Sequence, residues 1–356
     1  MADTDREDTL LSVENLHTHV HTDRGTIRAV DGVDFHIDRG ETVCLVGESG
    51  SGKSVTCESI TQIVPQPPAE IVDGSITFDG TDLRGASQKQ LRAIRGDRIA
   101  HVFQNPQHAL DPVYTVGEQI VETIRLHRDI SKSAARQRAV DLLQRVGIPR
   151  ASQRAGEYPH QFSGGMQQRA VIAMALAAEP DLLIADEPTT SVDVTVQARL
   201  IELLRELADG GMAMLWVTHD LRVVAAVADR VLVMFGGTLV ERGPVERIFQ
   251  RPAHPYTQAL FDSYSGSLDR SERTARGDIP NDGCRFRGEC PHAVDACAGD
   301  AQPPFYGVED SDDHHASCVY YGPERDAERV LREGGERRPL ADQPAGDSPG
   351  GGVTDD

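Results

Sequence analysis

The sequence predicts an α/β protein with a mainly parallel sheet, because short apolar runs alternate along it with stretches of helical periodicity. A second observation is a glycine-rich loop that joins the first of these runs to a helical stretch beginning at Lys53. The predicted strands are TVCLVG (42–47), DLLIAD (181–186), MAMLWVTHD (212–220) and RVLVMFGGTLVERG (230–243), and a helix is predicted at VTVQARLIELLREL (194–207).

The remaining segments complete the predicted layout. Residues 11–40 read as short alternating segments broken by Gly25, Gly32 and Gly40, which predicts an antiparallel strand layer. Residues of about 106–178 carry apolar positions three and four apart, which predicts a helical insertion between two halves of the sheet. We therefore expect a main domain over 1–255, a cysteine-rich extension over 256–322 and a disordered acidic tail over 323–356.

Charge excludes several classes of function. The 356 residues carry 56 acidic and 36 basic side chains, a net charge of −20, and only three lysines, Lys53, Lys89 and Lys132. The electric field of this negative charge repels phosphate, so a non-specific binder of nucleic acid or anionic lipid is not expected.

No apolar run reaches the roughly 18–20 residues of a membrane-spanning helix, and no secretory signal is visible. An acidic, lysine-poor surface favours a halophilic protein; the alternative is that the acidity lies in one tail.

The loop GESGSGKS matches the pattern G-x-x-x-x-G-K-[ST] and lies between a buried strand and a helix. Its backbone N–H groups can surround a triphosphate, Lys53 can neutralise the β and γ oxygens, and Ser54 can bind Mg²⁺. The sequence therefore predicts a nucleotide site. Its predicted ATP-binding residues are Gly47, Glu48, Ser49, Gly50, Ser51, Gly52, Lys53 and Ser54.

Two further strands end in residues suited to nucleotide hydrolysis. DLLIADEP ends in Asp186, which can hold the Mg²⁺ shell, and Glu187, which can polarise the attacking water. MLWVTHD ends in His219, within reach of a γ-phosphate. Adjacent acids at a strand end are often only a solvated terminus, and a single histidine is often incidental. The upstream phosphate loop favours the catalytic interpretation of Glu187 and His219.

A second helix N-terminus that can bind an anion is predicted at FSGGMQQR, where Ser163, Gly164 and Gly165 precede a helical stretch. Because the chain has one phosphate cradle, this helix start is predicted to cover a nucleotide held by another subunit. Here the sequence resembles the ATP-binding subunits of ABC transporters, over residues 10–250. The resemblance implies a P-loop NTPase fold, an ABC ATPase with a RecA-like core, an antiparallel β layer and a helical subdomain, followed by the small cysteine-rich C-terminal extension.

The same resemblance implies roles for further residues. Gln104 in HVFQNP matches the Q-loop, which implies that it is a catalytic residue and a Mg²⁺ ligand together with Ser54 and Asp186. Asp193 matches the D-loop, and His219 matches the switch histidine. Phe162 replaces the usual leucine and Ser191–Val192 the usual Ala-Leu, and neither change removes a functional group. The residue that stacks on adenine stays open between three candidates, Ile27, His19 and His21.

Four motifs narrow the resemblance to ATPases of oligopeptide and dipeptide importers. These are FQNPQHALDPVYTVGEQI, SGGMQQR, DEPTTSVDVTVQ and HPYTQAL, and the extension GCRFRGECPHAVDAC also matches, with Glu289 replacing an arginine. The resemblance implies a second, paralogous ABC ATPase subunit, two integral-membrane permeases and an extracellular solute-binding protein as partners, and a peripheral location on the cytoplasmic face of the cell membrane. Peptide, nickel and sugar all remain admissible as substrates.

Cysteine usage is uneven. Cys44 and Cys57 lie in or beside apolar segments, as small buried hydrophobes do. The remaining four, Cys284, Cys290, Cys297 and Cys318, are separated by five, six and twenty residues. Zinc sites show tighter pairs, four thiolates are the usual ligands of an iron–sulfur cluster, and the resembling family carries a [4Fe-4S] centre here. We therefore expect [4Fe-4S], with Zn²⁺ or unmetallated thiols as alternatives.

Two other functions fit the sequence less well than the importer. A soluble ABC ATPase acting on nucleic acid or ribosomes usually carries two cassettes, a long coiled coil or a basic surface, none of which is visible here. An independent ferredoxin-like electron carrier would need different cysteine spacing. We therefore expect an ATPase coupled to transport, with ATP and Mg²⁺ as cofactors and no nucleic-acid partner.

Overall fold

A computed structural model describes residues 8–105, 109–188, 194–264, 279–309, 311–323 and 325–331. They form two sheets with helices around them. The strands are β1 Thr9–Thr22, β2 Gly25–Asp38, β3 Thr42–Val46, β4 Ala69–Phe78, β5 Thr81–Asp82, β6 Ile99–Val102, β7 Leu182–Asp186, β8 Ala213–Val217, β9 Arg230–Phe235, β10 Thr238–Pro244, β11 Tyr306–Gly307 and β12 His315–Ala316. The helices are α1 Lys53–Ile60, α2 Gln88–Ile94, α3 Val116–His127, α4 Lys132–Arg145, α5 Ala151–Arg154, α6 Gly164–Ala175, α7 Val194–Asp209, α8 Leu221–Val227, α9 Val245–Gln250 and α10 Pro255–Tyr264.

The predicted parallel sheet is confirmed. Its strand order is β11-β12-β10-β9-β3-β8-β7-β6, and the pairs from β9 to β6 are all parallel. Every residue of β3 and β8 is buried, as expected where helices or a second sheet cover both faces. The carboxyl ends of β3, β6, β7 and β8 therefore meet at one edge of the sheet.

The predicted antiparallel layer is also present, in the order β2-β1-β4-β5. Its first two strands are longer than the broken segments expected from the sequence, at 14 residues each. The glycines do not interrupt them, because Gly25 begins β2 after the turn and Gly32 is the extra residue of a β-bulge between the Leu16–Val33 and His17–Asp31 pairs.

The helical subdomain predicted near 106–178 contains α3 to α6. Thr115 and Glu118 form a capping box at the start of α3, and Ser163 caps α6. The apolar faces of α3, α4 and α6 join the core formed with β3, β6 and β7. This packing fixes the start of α6 relative to the sheet.

The C-terminal segments pack onto the main domain. β12 pairs with β10, so the extension adds two strands to the large sheet. Residues 325–331, inside the segment 323–356 that is expected to be a disordered tail, are described by the structure: Val330 is 2% exposed, and its carbonyl oxygen accepts a hydrogen bond from Gln258 Nε2 at 2.7 Å. A hydrogen bond to α10 and apolar contacts of Val330 with Cys318 and Tyr320 hold this short piece. Residues 332–356 lie outside the described part of the chain.

Candidate functional site

The glycine-rich loop joins β3 to α1 and is supported from two sides. Glu48 N–H donates to the hydroxyl of Tyr256 at 2.9 Å, and the carbonyl oxygen of Ser51 accepts from Gly237 N–H at 2.9 Å. Gly52 has a φ of 108°, and a Cβ there would lie 2.2 Å from the carbonyl oxygen of Ala29. Glycine is therefore required where the loop turns into α1.

Lys53 is folded back into this loop. Its Nζ donates to the carbonyl oxygens of Gly47 at 2.9 Å and Glu48 at 2.8 Å. Burial lowers the pKa of Lys53, and the carboxylates of Glu187 and Asp186 partly offset that effect. The lysine therefore already lies inside the cradle where phosphate oxygens are expected.

Asp186 and Glu187 lie at the end of β7, next to the loop. Burial raises the pKa of Asp186, although a hydrogen bond from the Ser54 hydroxyl opposes this shift. Ser54 and Asp186 are thus brought together, as expected for two ligands of one Mg²⁺ ion. Glu187 has a left-handed φ of 48° and donates its N–H to the carbonyl oxygen of Val217 at 2.8 Å. This uncommon backbone conformation sets the direction of its side chain.

The carboxylate of Glu187 contacts the other two predicted catalytic residues. Gln104 Nε2 donates to Glu187 Oε2 at 3.1 Å, and His219 Nδ1 lies 3.0 Å from Oε1. Gln104 follows β6 and His219 follows β8, so β7 places Glu187 between them. The Glu187 side chain is 16% exposed and that of His219 66% exposed, which leaves this cluster open to solvent on the histidine side.

The predicted signature lies at the surface of the helical subdomain. Ser163 caps α6 by accepting a hydrogen bond from Met166 N–H at 3.3 Å, and Ser163 and Gly164 are exposed. A Cβ on Gly164 would meet no atom within 4 Å, so this helix start is accessible to a partner. Asp193, the predicted D-loop residue, lies outside the described residues.

The three candidates for adenine stacking all lie on the β1–β2 ribbon. Ile27 is 57% exposed and pairs across the ribbon with Val20, and His21 Nδ1 contacts the hydroxyl of Thr26 at 3.2 Å. His19 lies beside His17 and Asp31, and these three offer ligand atoms within 4.8 Å of one another. The carboxylate of Asp31 is already paired with Arg285, so this group is an ion-pair network.

The four clustered cysteines lie in the extension, and none of them forms a disulfide. Cys284, Cys297 and Cys318 are 6–7% exposed, and Cys284 N–H donates to the carbonyl oxygen of Cys297 at 2.9 Å. Burial raises the pKa of Cys284 to about 11 and that of Cys318 to about 12, and the neighbouring thiols add to both shifts. Cys290 is affected in the same direction. A metal cation is the group that would reverse these shifts.

Sequence reasoning missed two tyrosines that contact the nucleotide loops. Tyr256 and Tyr264 lie on α10, which follows His254, and their hydroxyl groups contact Glu48 N–H and Asp220 Oδ1. The sequence signal for Tyr256 is the HPYTQAL motif, whereas Tyr264 lies beyond that motif and has no such signal. The helix was missed because its ten residues show little periodicity before a break in the apolar pattern.

Two protein families match the chain. The family described as ABC transporter matches residues 30–190, and the family described as oligopeptide/dipeptide transporter, C-terminal region, matches residues 240–297. The second match begins in β10 and ends at Cys297, so it includes α10 and three of the four clustered cysteines. In the described part of the chain, no helix is both long and apolar enough to cross a membrane.

Individual relatives match most of the chain. The oligopeptide transport ATP-binding protein AppD of Bacillus subtilis is 48% identical over 81% of this chain and 90% of its own length. The dipeptide transport ATP-binding protein DppD of the same organism is 46% identical, over 87% and 94%. Among solved structures, the dimeric ATP-binding cassette MJ0796 bound to ADP and Pi has a TM-score of 0.61 at 28% identity, over 66% of this chain and 99% of that one.

Proposed function

Because the chain belongs to the ATP-binding subunits of ABC transporters, of the oligopeptide/dipeptide type, we propose that it hydrolyses ATP to power peptide import through separate membrane subunits. The observation that carries this proposal is the meeting of the phosphate loop with Gln104, Glu187 and His219 at one edge of the sheet. These residues come from four different strand ends, so only the folded chain assembles them.

The donor set fits ATP with Mg²⁺. The hydroxyl of Ser54, the carboxylate of Asp186 and the side-chain carbonyl of Gln104 are oxygen donors, which Mg²⁺ prefers. These three residues would hold the ion, which would supply positive charge to offset the negative charge that develops during phosphoryl transfer. Lys53 would leave its contacts with Gly47 and Glu48 and bind the β and γ oxygens of the nucleotide.

Glu187 is the proposed general base. Its carboxylate would accept a proton from the attacking water, and its contacts with Gln104 and His219 hold both oxygens in defined directions. Little covalent chemistry is required of the protein in phosphoryl transfer, and positioning supplies most of the rate. We also propose that residues 47–54, in the loop between β3 and α1, bind ATP, and we keep the D-loop role of Asp193 on the strength of the sequence resemblance alone.

The site is completed by a partner subunit. The exposed helix start at Ser163–Gly165 would supply N–H groups and a positive helix end to a nucleotide held by the partner. Since the chain has one cradle and one such helix start, two ATPase subunits would enclose ATP head to tail. We propose a paralogous ATPase as that partner, with two permeases and an extracellular solute-binding protein completing the transporter.

Contact with the permeases is proposed near Gln104. Phe103, Val113 and Tyr114 are 43%, 69% and 55% exposed, which is unusual for large apolar side chains so close together in sequence. A cytoplasmic helix of a permease can cover them, which would link movement of Gln104 to the membrane subunits. This arrangement would place the chain peripherally on the cytoplasmic face of the membrane.

We also propose that the extension holds a [4Fe-4S] cluster. Three buried cysteines and the half-buried Cys290, near enough that the other three raise the pKa of Cys318, fit a cluster ligand set. Among the described residues, no three of these sulfur atoms lie within 4.8 Å of one another. The sulfurs around a zinc ion with Zn–S bonds of about 2.3 Å would be closer than that, so the spacing favours the larger group.

Uptake of labelled peptides tests the proposed function. A strain that lacks this subunit would be complemented with the wild-type chain, with Glu187→Gln, or with the surface control Glu202→Gln. We expect uptake with the wild type and the control, and none with Glu187→Gln. Equal uptake by the strain without the subunit would contradict the proposal. Recovery of the tagged chain on ribosomes or DNA, with no permease, would support the nucleic-acid alternative, which the net charge of −20 disfavours.

A further inference from the structure

Helix α10 contacts two of the loops that form the nucleotide site. Tyr256, in its first turn, reaches the phosphate loop, and Tyr264, at its end, reaches the loop after β8. Tyr264 lies eight positions after Tyr256, or about 12 Å along a helix. One short rigid element therefore connects the ends of β3 and β8.

The contact at Tyr256 fixes the start of the phosphate loop. Its hydroxyl oxygen accepts from Glu48 N–H at 2.9 Å, and the carbonyl oxygen of Glu48 accepts from Lys53 Nζ at 2.8 Å. The Tyr256 ring is 1% exposed and packs 4.6 Å from the Phe235 ring and 5.4 Å from the Phe286 ring. The ring is thus immobilised, and its hydroxyl holds a backbone group next to the lysine.

The contact at Tyr264 fixes the loop that carries His219. Its hydroxyl donates to Asp220 Oδ1 at 2.5 Å, and Asp220 caps α8 by accepting from Arg222 N–H at 2.9 Å. Burial acts to raise the pKa of Asp220, but the hydrogen bonds from Arg222 and Tyr264 more than offset this. Asp220 is therefore a stable anion directly after His219, and Tyr264 sets the direction of its carboxylate.

The helix itself is held firmly at its start. Glu241, which is fully buried on β10, accepts from Ala253 N–H and His254 N–H, both at 2.8 Å. His254 Nδ1 accepts from Tyr256 N–H at 3.1 Å, and Gln258 Nε2 donates to the carbonyl oxygen of Pro252 at 3.0 Å. These bonds fix the position of α10, so the helix can hold both loops in place.

We propose that Tyr256 and Tyr264 are positioning residues for ATP hydrolysis, Tyr256 for nucleotide binding and Tyr264 for turnover. Only the expected effects on MgATP binding and turnover rest on the proposed function; the contacts of the two tyrosines do not depend on it. Tyr256 acts on the loop that holds phosphate, so its loss weakens binding. Tyr264 acts through Asp220 on the loop of His219, so its loss slows the chemical step without weakening binding.

Three single variants test the proposal in the full chain. Tyr256→Phe and Tyr264→Phe each remove one hydroxyl and keep the ring. Tyr320→Phe is the matched control, because its hydroxyl donates to the carbonyl oxygen of His292 within the extension. Amide hydrogen exchange without nucleotide is measured first: Tyr256→Phe should speed exchange over residues 47–53, Tyr264→Phe over residues 218–222, and Tyr320→Phe over neither.

Kinetics then separate the two roles. Tyr256→Phe should raise the Kd for MgATP about 2- to 10-fold, as expected for loss of one neutral hydrogen bond. Tyr264→Phe should lower kcat by a similar factor with Kd unchanged. The proposal would be overturned if both variants showed wild-type amide exchange at both loops. It would also be overturned if each variant changed both the Kd for MgATP and kcat. The kinetics are measured on this subunit together with its ATPase partner, so absence of hydrolysis by that wild-type complex would instead contradict the proposed function. The exchange data would still decide the positioning.

Discussion

The imidazole Nδ1 of His219 lies 3.0 Å from Oε1 of Glu187. This contact joins the ends of the neighbouring strands β8 and β7, and Gln104 approaches the other carboxylate oxygen from β6. A histidine on one oxygen and an amide on the other fix the direction of this carboxylate. The geometry is therefore suited to activating a water molecule beside a phosphoryl group.

Replacing Glu187 by Gln should abolish turnover and spare binding. The amide keeps the size of the side chain but cannot accept the proton, so kcat should fall about 10²- to 10⁴-fold. The Kd for MgATP should stay near that of the wild type. Phosphate release and nucleotide titration on the chain purified together with its ATPase partner, with Glu202→Gln as control, measure both quantities. Undiminished hydrolysis would remove Glu187 from the role of base.

The buried histidine His254 should make the fold sensitive to acid. It is 1% exposed, and burial lowers its pKa to about 3 from an ordinary value near 6.5. As pH falls below 6.5, the unfolded chain binds a proton here that the folded chain does not. The free energy of unfolding should therefore fall by about 1 kcal/mol per pH unit from this residue alone, down to its folded pKa.

The variant His254→Asn isolates this contribution. Asparagine keeps an acceptor for Tyr256 N–H at the start of α10 but does not titrate. Urea unfolding at pH 7.5, 6.5 and 5.5 gives the free energy of unfolding of both proteins. As pH falls, this free energy should decrease more for the wild type than for the variant. Parallel pH profiles for the two proteins would contradict this prediction.

The clustered cysteines should bind iron. Protein purified without oxygen should contain iron and acid-labile sulfide, and Cys284→Ala should lose both. Cys44→Ala is the matched control, because Cys44 is fully buried in β3 and outside the extension. Stoichiometric zinc without sulfide would support the zinc alternative, and absence of any metal would support free thiols.

Salt should stabilise the chain. Between ~0.1 M and ~1 M salt the screening length falls from about 10 Å to about 3 Å, which weakens repulsion within a net charge of −20. The free energy of unfolding should rise across this range of KCl, as expected for a halophilic protein. Truncation of residues 332–356 separates this interpretation from the acidic-tail alternative: the salt effect should persist in the truncated chain, and its disappearance would place the effect in the tail.

Most of the nucleotide site could be predicted from the sequence because its chemistry lies in short contiguous motifs. GESGSGKS, DLLIADEP and MLWVTHD each place a reactive residue directly after a buried apolar run, and strands of one parallel sheet end at a common edge. Lys53, Asp186, Glu187 and His219 therefore had to lie near one another. The fold class followed from the same alternation of strands and helices.

Tertiary structure alone decided which groups touch. The contact of Tyr256 with Glu48 spans 208 residues and that of Tyr264 with Asp220 spans 44, and neither leaves a periodic signal in the chain. The same holds for Arg285 and Asp31, which join the extension to the antiparallel layer. Local propensity fixes elements and their ends, whereas such contacts depend on how distant elements pack. The sequence determined the residues available for ATP chemistry, and packing of α10 against two strand ends decided how their loops are held.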